Sequence, residues 1–265
     1  HLPLDGQVDG EGGPEGAGQV PALLNPWTEI LLEEGAALSH LRLRAGLPGA
    51  FHLGGVQLRQ ARHSAYRGLL LELGAPGRGA ALERLELGAR LAGEGARCEL
   101  GGLLLAGGGA RQDLLLGVAH AAPRCLSRQR VKGVLDGQAR AAFTGQVLVA
   151  PGAAGSDARQ ACHHLLLSPR AEGDARPELE IHTDEVQCAH GATVGPPDEE
   201  ALFYLRSRGL DPASALSLLV HGFVRELLAE VHPAGLRRRA LGEVLARLPG
   251  GGGEAAGLLL EGEAA

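Results

Sequence analysis

The chain has 265 residues, a net charge of −6, 42 glycines and only 3% aromatic residues. Its acidic balance argues against a nucleic-acid-binding surface, and it has no run of about 18 apolar residues that would cross a membrane. Four cysteines spread over a chain of this size are typical of reduced thiols in a cytoplasmic protein and not of a disulfide framework.

Residues 1–22 are rich in glycine, proline and acidic side chains, which predicts a flexible segment with little to bury. The chain begins at His1 and contains no methionine. We therefore predict that it is a fragment, and that a further N-terminal region precedes it in the whole protein.

Residues 23–195 form the predicted β-domain, in which glycine, proline or polar residues separate short apolar runs. Corresponding runs begin at Val131, Val147 and Leu165, about 16–18 residues apart. Short strands at a regular spacing, without helical patterns between them, are typical of a stacked solenoid whose turns bury a continuous core. A β-sandwich has similar short strands and is the alternative fold.

Two combinations of cysteine and histidine in this domain are candidates for a reactive or a metal site. His120 and Cys125 contain the elements of a nucleophile pair, but no third group orients them, so we interpret Cys125 as a buried thiol in a corner. Cys162 and His164 would share one face of a strand, and we interpret them as ordinary strand residues. No glycine-rich stretch has the sequence of a phosphate loop, so we do not expect the chain to hydrolyse ATP.

The most informative stretch contains Cys188 and His190, two residues apart. The alternation from Glu178 to Gln187 predicts a strand, and if that strand continues, both side chains point to the same face. A thiolate and an imidazole on one face can share zinc or iron, but two ligands are half a site. The alternative is a small buried cysteine beside a hydrogen-bonded histidine.

Residues 196–250 are predicted to form a helical subdomain, followed by a flexible tail at 251–265. Asp198 is a predicted N-cap, and Asp211 with Pro212 begins a second helix. A third helix is predicted to end at Pro249. These helices are interpreted as a cap on the open end of the solenoid, as a docking platform for another protein, or as both. The predicted docking face comprises Leu202, Phe203, Tyr204 and Arg206.

Several long motifs resemble one known family in the same order. The runs SRQRVKGVLDGQARAAFTGQVLV, HHLLLS and RPELEI precede CAHGATVG and DEEALFYLRSRGL. Together they are similar to the SufB/SufD family of iron–sulfur cluster assembly scaffolds, most of all to its SufD branch. The resemblance covers roughly Asn25 to Val231. It implies a mainly β fold, a right-handed parallel β-helix with a C-terminal α-helical subdomain.

The resemblance also implies a function. Members of this family are non-catalytic scaffold subunits of the SUF complex, in which a SufD-like chain pairs with a SufB-like paralogue and docks the SufC ATPase. It implies that His190 and Cys188 lie near the paralogue, where a transient iron–sulfur cluster would be shared with the partner chain and not held tightly by this chain alone. The alternatives are a β-helical carbohydrate-active enzyme, for which aromatic sugar platforms are scarce, and a free-standing homodimer.

Overall fold

The computed structural model describes residues 22–46, 50–74, 82–229, 231 and 233–248. The segments predicted to be flexible, 1–22 and 251–265, lie outside these residues except for residue 22, and so does the predicted helix end at Pro249. Within the described residues the chain forms parallel strands followed by three helices.

The strands alternate along the chain between two parallel sheets. The first sheet contains β1 (Leu23–Leu24), β2 (Trp27–Leu32), β4 (Phe51–Gln60), β6 (Leu82–Leu91), β8 (Arg111–His120), β10 (Arg140–Val149) and β12 (Glu172–Ile181). The second sheet contains β3 (Ala37–Ala45), β5 (Ala65–Leu73), β7 (Arg97–Ala106), β9 (Leu126–Leu135), β11 (Ser156–Leu166) and β13 (Val186–Gly195).

Each strand from β3 to β11 pairs in parallel with the strand two places further along the chain, so the backbone winds as a β-solenoid of about five turns. One full turn takes about 30 residues, as in the register pairing of Gln160 with His190. The spacing of 16–18 residues in the sequence is therefore half a turn, one strand plus one corner. The parallel β-helix is confirmed, and the β-sandwich alternative is wrong because sandwiches pair antiparallel strands.

The interior of the solenoid is filled by every second side chain of each strand. In β8, for example, Leu114, Leu116 and Val118 are fully buried and alternate with partly exposed neighbours. Tyr66 and Phe143 are the largest side chains in this core. The two-residue period of a strand makes this alternation, and stacking of successive turns makes the buried column continuous.

Three helices follow the last strand: α1 (Glu199–Ser207), α2 (Pro212–Leu228) and α3 (Ala234–Leu245). The predicted caps are confirmed. The carboxylate of Asp198 accepts a hydrogen bond from the backbone N–H of Glu200 at 2.9 Å, and Asp211 accepts one from Ala213 at 2.9 Å. These bonds satisfy backbone donors that the first turn of a helix leaves unpaired.

Helices α2 and α3 pack on the outer face of the second sheet, not over the open end of the solenoid. The end-cap interpretation is therefore wrong for these two helices: the apolar stripe of α2 packs on a row of outward leucines along the side of the solenoid. Buried residues of this layer include Leu71, Leu103, Leu105, Val134, Val220, Val224, Leu227, Leu241 and Val244. The ammonium of Lys132 fastens α2 to β9, donating to the carbonyl oxygen of Phe223 at 2.8 Å and to Glu226 at 2.6 Å.

The first turns of the solenoid enclose a buried charge cluster. The guanidinium of Arg44 donates to Glu72 at 2.5 Å and to Glu83 at 2.7 Å, and Arg42 also pairs with Glu72. Both carboxylates are at least 96% buried, and the amide of Gln112 donates to Glu83 at 2.6 Å. The cluster places two cations against two anions inside the β-helix, where an unpaired charge would be costly.

Buried histidines predict a pH-dependent stability. Burial lowers the pKa of His120 to about 4, and that of His164 to about 4. In the unfolded chain both titrate near 6.5, so the unfolded state binds protons first as the pH falls. The free energy of unfolding should therefore decline from pH 6.5 towards 4, by up to about 1.4 kcal/mol per unit for each histidine.

Urea unfolding at pH 7.0 and pH 5.0 checks this decline. A His120→Gln variant, which retains a polar group beside Ser127, should show a smaller difference in the free energy of unfolding between the two pH values. An equal free energy of unfolding at the two pH values in the unmodified chain would contradict the prediction.

Candidate functional site

The last turn of the solenoid, formed by β12 and β13, is uncovered among the described residues. Each of these strands is the last of its sheet, so one edge of each has no strand partner in the part of the chain that the structure describes. Apolar side chains are exposed along this end: Ile181 is 41% and Val194 is 43% exposed. Such an end combines unpaired backbone groups with apolar surface, and it is a template for association.

Cys188 and His190 lie on β13 in this last turn. The register places Cys188 beside Ala158 and His190 beside Gln160, both of which are buried, so the two side chains share the inward face of the strand as predicted. Cys188 is half-buried and packs against the end of the core, whereas His190 is exposed. Partial burial raises the pKa of the Cys188 thiol.

One detail of the predicted strand is wrong. The strand that contains Glu178 ends at Ile181, and the chain turns a corner before β13 begins at Val186. Glu178 and Cys188 therefore belong to different sheets. Inward and outward residues alternate in both β12 and β13. A two-residue period in the sequence therefore does not show where one strand ends and the next begins.

A column of glutamine side chains lies beneath His190 inside the solenoid. Gln129, Gln160 and His190 are register partners on β9, β11 and β13. The amide nitrogen of Gln160 donates to the side-chain oxygen of Gln129 at 2.9 Å, and both glutamines are at least 97% buried. Sequence reasoning missed Gln160. The signal was present, since polar residues recur at intervals of about one turn before His190.

The other cysteine and histidine combinations form no comparable site. The thiol of Cys162 lies 3.2 Å from Nε2 of His164, but both are buried below the last turn. Burial raises the pKa of Cys162 to about 12, so this pair is neutral at physiological pH. His120 contacts Ser127 at 2.8 Å and not Cys125, which is a buried corner thiol as predicted. Within the described residues, no three His, Cys, Asp or Glu side chains are grouped to hold a metal ion.

The predicted docking face lies on α1. Phe203 is 73% exposed and Tyr204 is 56% exposed, while Arg206 is exposed beside them. Leu202 is half-buried. The ring of Tyr204 is covered by the guanidinium of Arg208 at 5.1 Å, which holds it in place on the surface. The structure thus presents two neighbouring aromatic side chains to solvent.

A groove of 560 Å³ on the outer face of the second sheet is lined partly by arginines. Arg128 donates two hydrogen bonds to Asp157 at 2.8 and 2.7 Å, and Arg159 lies 3.4 Å from the same carboxylate. Arg130 lies 3.6 Å from Glu226. The Arg128 guanidinium keeps the pKa of Asp157 below its usual value. The first of these pairs joins neighbouring turns, the second lies within β11, and the third joins β9 to α2. Together these ion pairs account for the charge in the groove.

Comparison with known proteins identifies the family. The family model for the SUF system FeS cluster assembly SufBD core domain matches residues 13–223. The chain belongs to the SufB/SufD family. An iron–sulfur cluster assembly SufBD family protein of Synechocystis is 34% identical over 221 residues, which cover 83% of this SufBD chain and 48% of that protein.

Two further relatives agree with this assignment. The iron–sulfur cluster assembly protein SufD of Escherichia coli is 41% identical over 127 residues, 48% of this chain and 30% of the relative. A SufBD family protein of Mycobacterium tuberculosis is 32% identical over 219 residues, 80% of this chain and 54% of the relative. This SufBD chain therefore spans about half the length, or less, of these relatives. None of its described helices is both long and apolar enough to cross a bilayer.

Proposed function

We propose that the chain is a non-catalytic scaffold subunit of the SUF system, most like SufD, working in the cytoplasm. It pairs with a SufB-like paralogue through the last turn of the solenoid and docks a SufC-like ATPase on its helices. The observation that carries the proposal is the uncovered last turn. Its unpaired strand edges and exposed apolar side chains favour association with another chain, and the same turn carries Cys188 and His190.

The two side chains suit a shared site better than a site of this chain alone. Iron–sulfur clusters are held by thiolates, with histidine replacing thiolate in some cases, and they need more ligands than Cys188 and His190 supply. A partner chain seated on the last turn would supply the rest. The nascent cluster is then cargo that is assembled between the two chains. Partial burial raises the pKa of the Cys188 thiol, and a thiol that binds iron does so as the thiolate, so binding would be accompanied by release of a proton.

The first test is assembly. The chain is mixed with SufB-like and SufC-like proteins, and the products are separated by size exclusion with mass measured by light scattering. We expect a ternary complex containing all three chains. A chain that stays folded but elutes alone or as twice its own mass would contradict the scaffold proposal, and the doubled mass would favour the homodimer.

The second test is cluster yield at the last turn. Replacing His190 by alanine should lower the amount of cluster assembled on the complex by at least about tenfold, because one ligand of the cluster is removed. His190 is exposed, so the substitution leaves no cavity and should not disturb the fold. His182 is the matched control: it is a histidine in the corner at the same end of the solenoid, paired with Glu180 at 2.8 Å. His182→Ala should leave the yield unchanged. An undiminished yield in His190→Ala would remove the ligand role.

The third test concerns the docking face of α1. The double substitution Phe203→Ala with Tyr204→Ala should weaken binding of the SufC-like ATPase roughly tenfold to hundredfold, because exposed aromatic side chains dominate interface energetics. Folding should be unaffected, since α1 buries none of its residues. Leu236→Ala, at an exposed position of α3, is the control. Equal affinities for the double variant and the control would place the ATPase elsewhere.

A further inference from the structure

We propose that Gln160 is a positioning residue for His190. Its carboxamide oxygen, which has no hydrogen-bond partner among the described residues, is placed to accept a hydrogen bond from one ring nitrogen of His190 when the imidazole turns inward. The other ring nitrogen then presents its lone pair at the open end of the solenoid. The role of this lone pair as an iron ligand rests on the proposed function. The hydrogen bond itself does not, and it can be measured on the chain alone.

The register brings the two residues together. Gln160 on β11 is the direct parallel partner of His190 on β13, and both face inward. Inward side chains on successive turns of a β-helix stack at the spacing of neighbouring strands, about 4.8 Å. His190 therefore lies on the turn next to Gln160, and no further turn follows it among the described residues.

The hydrogen bonding of Gln160 leaves one acceptor unused. Its amide nitrogen donates downward to the side-chain oxygen of Gln129. Its own oxygen, Oε1, is buried and has no hydrogen-bond partner in the described part of the chain. Gln160 is 3% exposed. A buried carbonyl oxygen that makes no hydrogen bond destabilises the fold, so a hydrogen bond to this atom would be favourable.

The orientation of the carboxamide directs this oxygen away from Gln129. The nitrogen and the oxygen of the side-chain amide point in different directions from Cδ. Because the nitrogen is hydrogen-bonded to Gln129 on the preceding turn of the solenoid, the oxygen points away from that preceding turn. Gly145 on the opposite sheet makes room for the group: a Cβ at Gly145 would lie 2.7 Å from Cδ of Gln160. His190 is the residue that the register places directly beside Gln160 on the next turn, and its imidazole carries a ring N–H that can donate.

This arrangement has a chemical consequence. A neutral imidazole binds metal through one nitrogen, and the hydrogen bond made by the other nitrogen fixes the tautomer and the ring orientation. Gln160 would hold the proton on the inner nitrogen of His190. The outer nitrogen would then be available to iron before any partner arrives, without a change of tautomer at the moment of binding.

The tautomer of His190 in the isolated chain tests the inference. Long-range ¹H–¹⁵N correlation spectra should show a single neutral tautomer and a slowly exchanging ring N–H. In Gln160→Leu, which keeps the volume but removes the acceptor, we expect a mixture of tautomers and a rapidly exchanging proton. Gln160→Glu restores an acceptor and should restore the single tautomer.

Gln129→Leu is the matched control, because it removes the same glutamine–glutamine hydrogen bond but leaves the oxygen below His190 in place. It should keep the single tautomer. Two results would overturn the inference: no protected His190 ring proton in the unmodified chain, or identical tautomer populations in that chain and Gln160→Leu. The first is informative even if a variant fails to fold.

A second readout separates this inference from the proposed function. In the assembled complex, Gln160→Leu should lower cluster yield by roughly tenfold, as loss of a group that orients a metal ligand commonly does, and Gln129→Leu should not. If His190→Ala leaves the yield unchanged, the ligand role fails while the tautomer result stands. If His190→Ala lowers the yield and Gln160→Leu changes neither tautomer nor yield, the positioning role alone fails.

Discussion

Replacing Arg44 by leucine is expected to lower the free energy of unfolding by about 3–5 kcal/mol at neutral pH. Arg44 donates to both Glu72 and Glu83, which are almost completely buried inside the first turns of the solenoid. Without Arg44, the amide of Gln112 is the one side-chain partner that Glu83 keeps among the described residues. The stability lost when a buried carboxylate is left without its cation is far larger than the net stability that the intact pair contributes, because the carboxylate remains buried and does not regain its hydration.

Chemical denaturation of the unmodified chain, Arg44→Leu and Arg67→Leu measures this effect. Arg67 pairs with Glu99 at 2.9 Å on the surface, where both side chains are more than 40% exposed, so its loss should cost at most about 1 kcal/mol. The double variant Arg44→Leu with Glu83→Gln should recover part of the stability, since one orphaned charge is removed. Equal losses for the two single variants would show that the cluster is hydrated and contributes as a surface pair does.

The second large effect is expected at Gly93, in the corner after β6. A Cβ at this position would lie 2.6 Å from Cα of Arg62 and against the neighbouring backbone atoms of the preceding turn. These backbones are fastened together, because the N–H of Ala92 donates to the carbonyl of Gln60 at 2.9 Å. Gly93→Ala should therefore cost about 2–3 kcal/mol, the cost of overpacking where the neighbour cannot move.

Gly107 offers a matched control in the corner after β7. A Cβ there would meet no atom within 4 Å. Gly107→Ala should be neutral or stabilise the chain by about 0.4–1 kcal/mol through the reduced entropy of the unfolded state. Thermal or urea unfolding of both variants distinguishes the two corners. A cost at Gly93 no greater than at Gly107 would show that the turns can separate locally.

Much of the fold follows from local patterns in the sequence. The two-residue alternation of β8 and the capping residues Asp198 and Asp211 each fix an element from a few neighbouring positions. The face of the solenoid on which the helices pack cannot be predicted from short-range sequence patterns. The run Leu103–Leu105 is apolar at every position because its strand is buried on the inside by the core and on the outside by α2, and a continuous run of this kind indicates a strand covered on both faces.

The candidate site was predictable in part for the same reason. A spacing of two residues was enough to place Cys188 and His190 on one face of a strand. Their position at an uncovered end, and the presence of Gln160 beneath His190, depend on the number of residues in a full turn. That number is set by the corners, whose lengths vary, and the alternating pattern carries no information about it. The pairing of Arg44 with Glu83 across 39 residues was hidden from sequence reasoning in the same way.

Lys132, which fastens α2 to the solenoid, is the only lysine in the 265 residues. Its side chain is largely buried under α2, where its ammonium donates to the carbonyl oxygen of Phe223 and to the carboxylate of Glu226. Reagents that acylate amines reach this side chain only when α2 lifts from the second sheet. The rate at which this single position is modified therefore measures how often the helices detach, and mass spectrometry can follow that rate in the free chain and in its complexes alike.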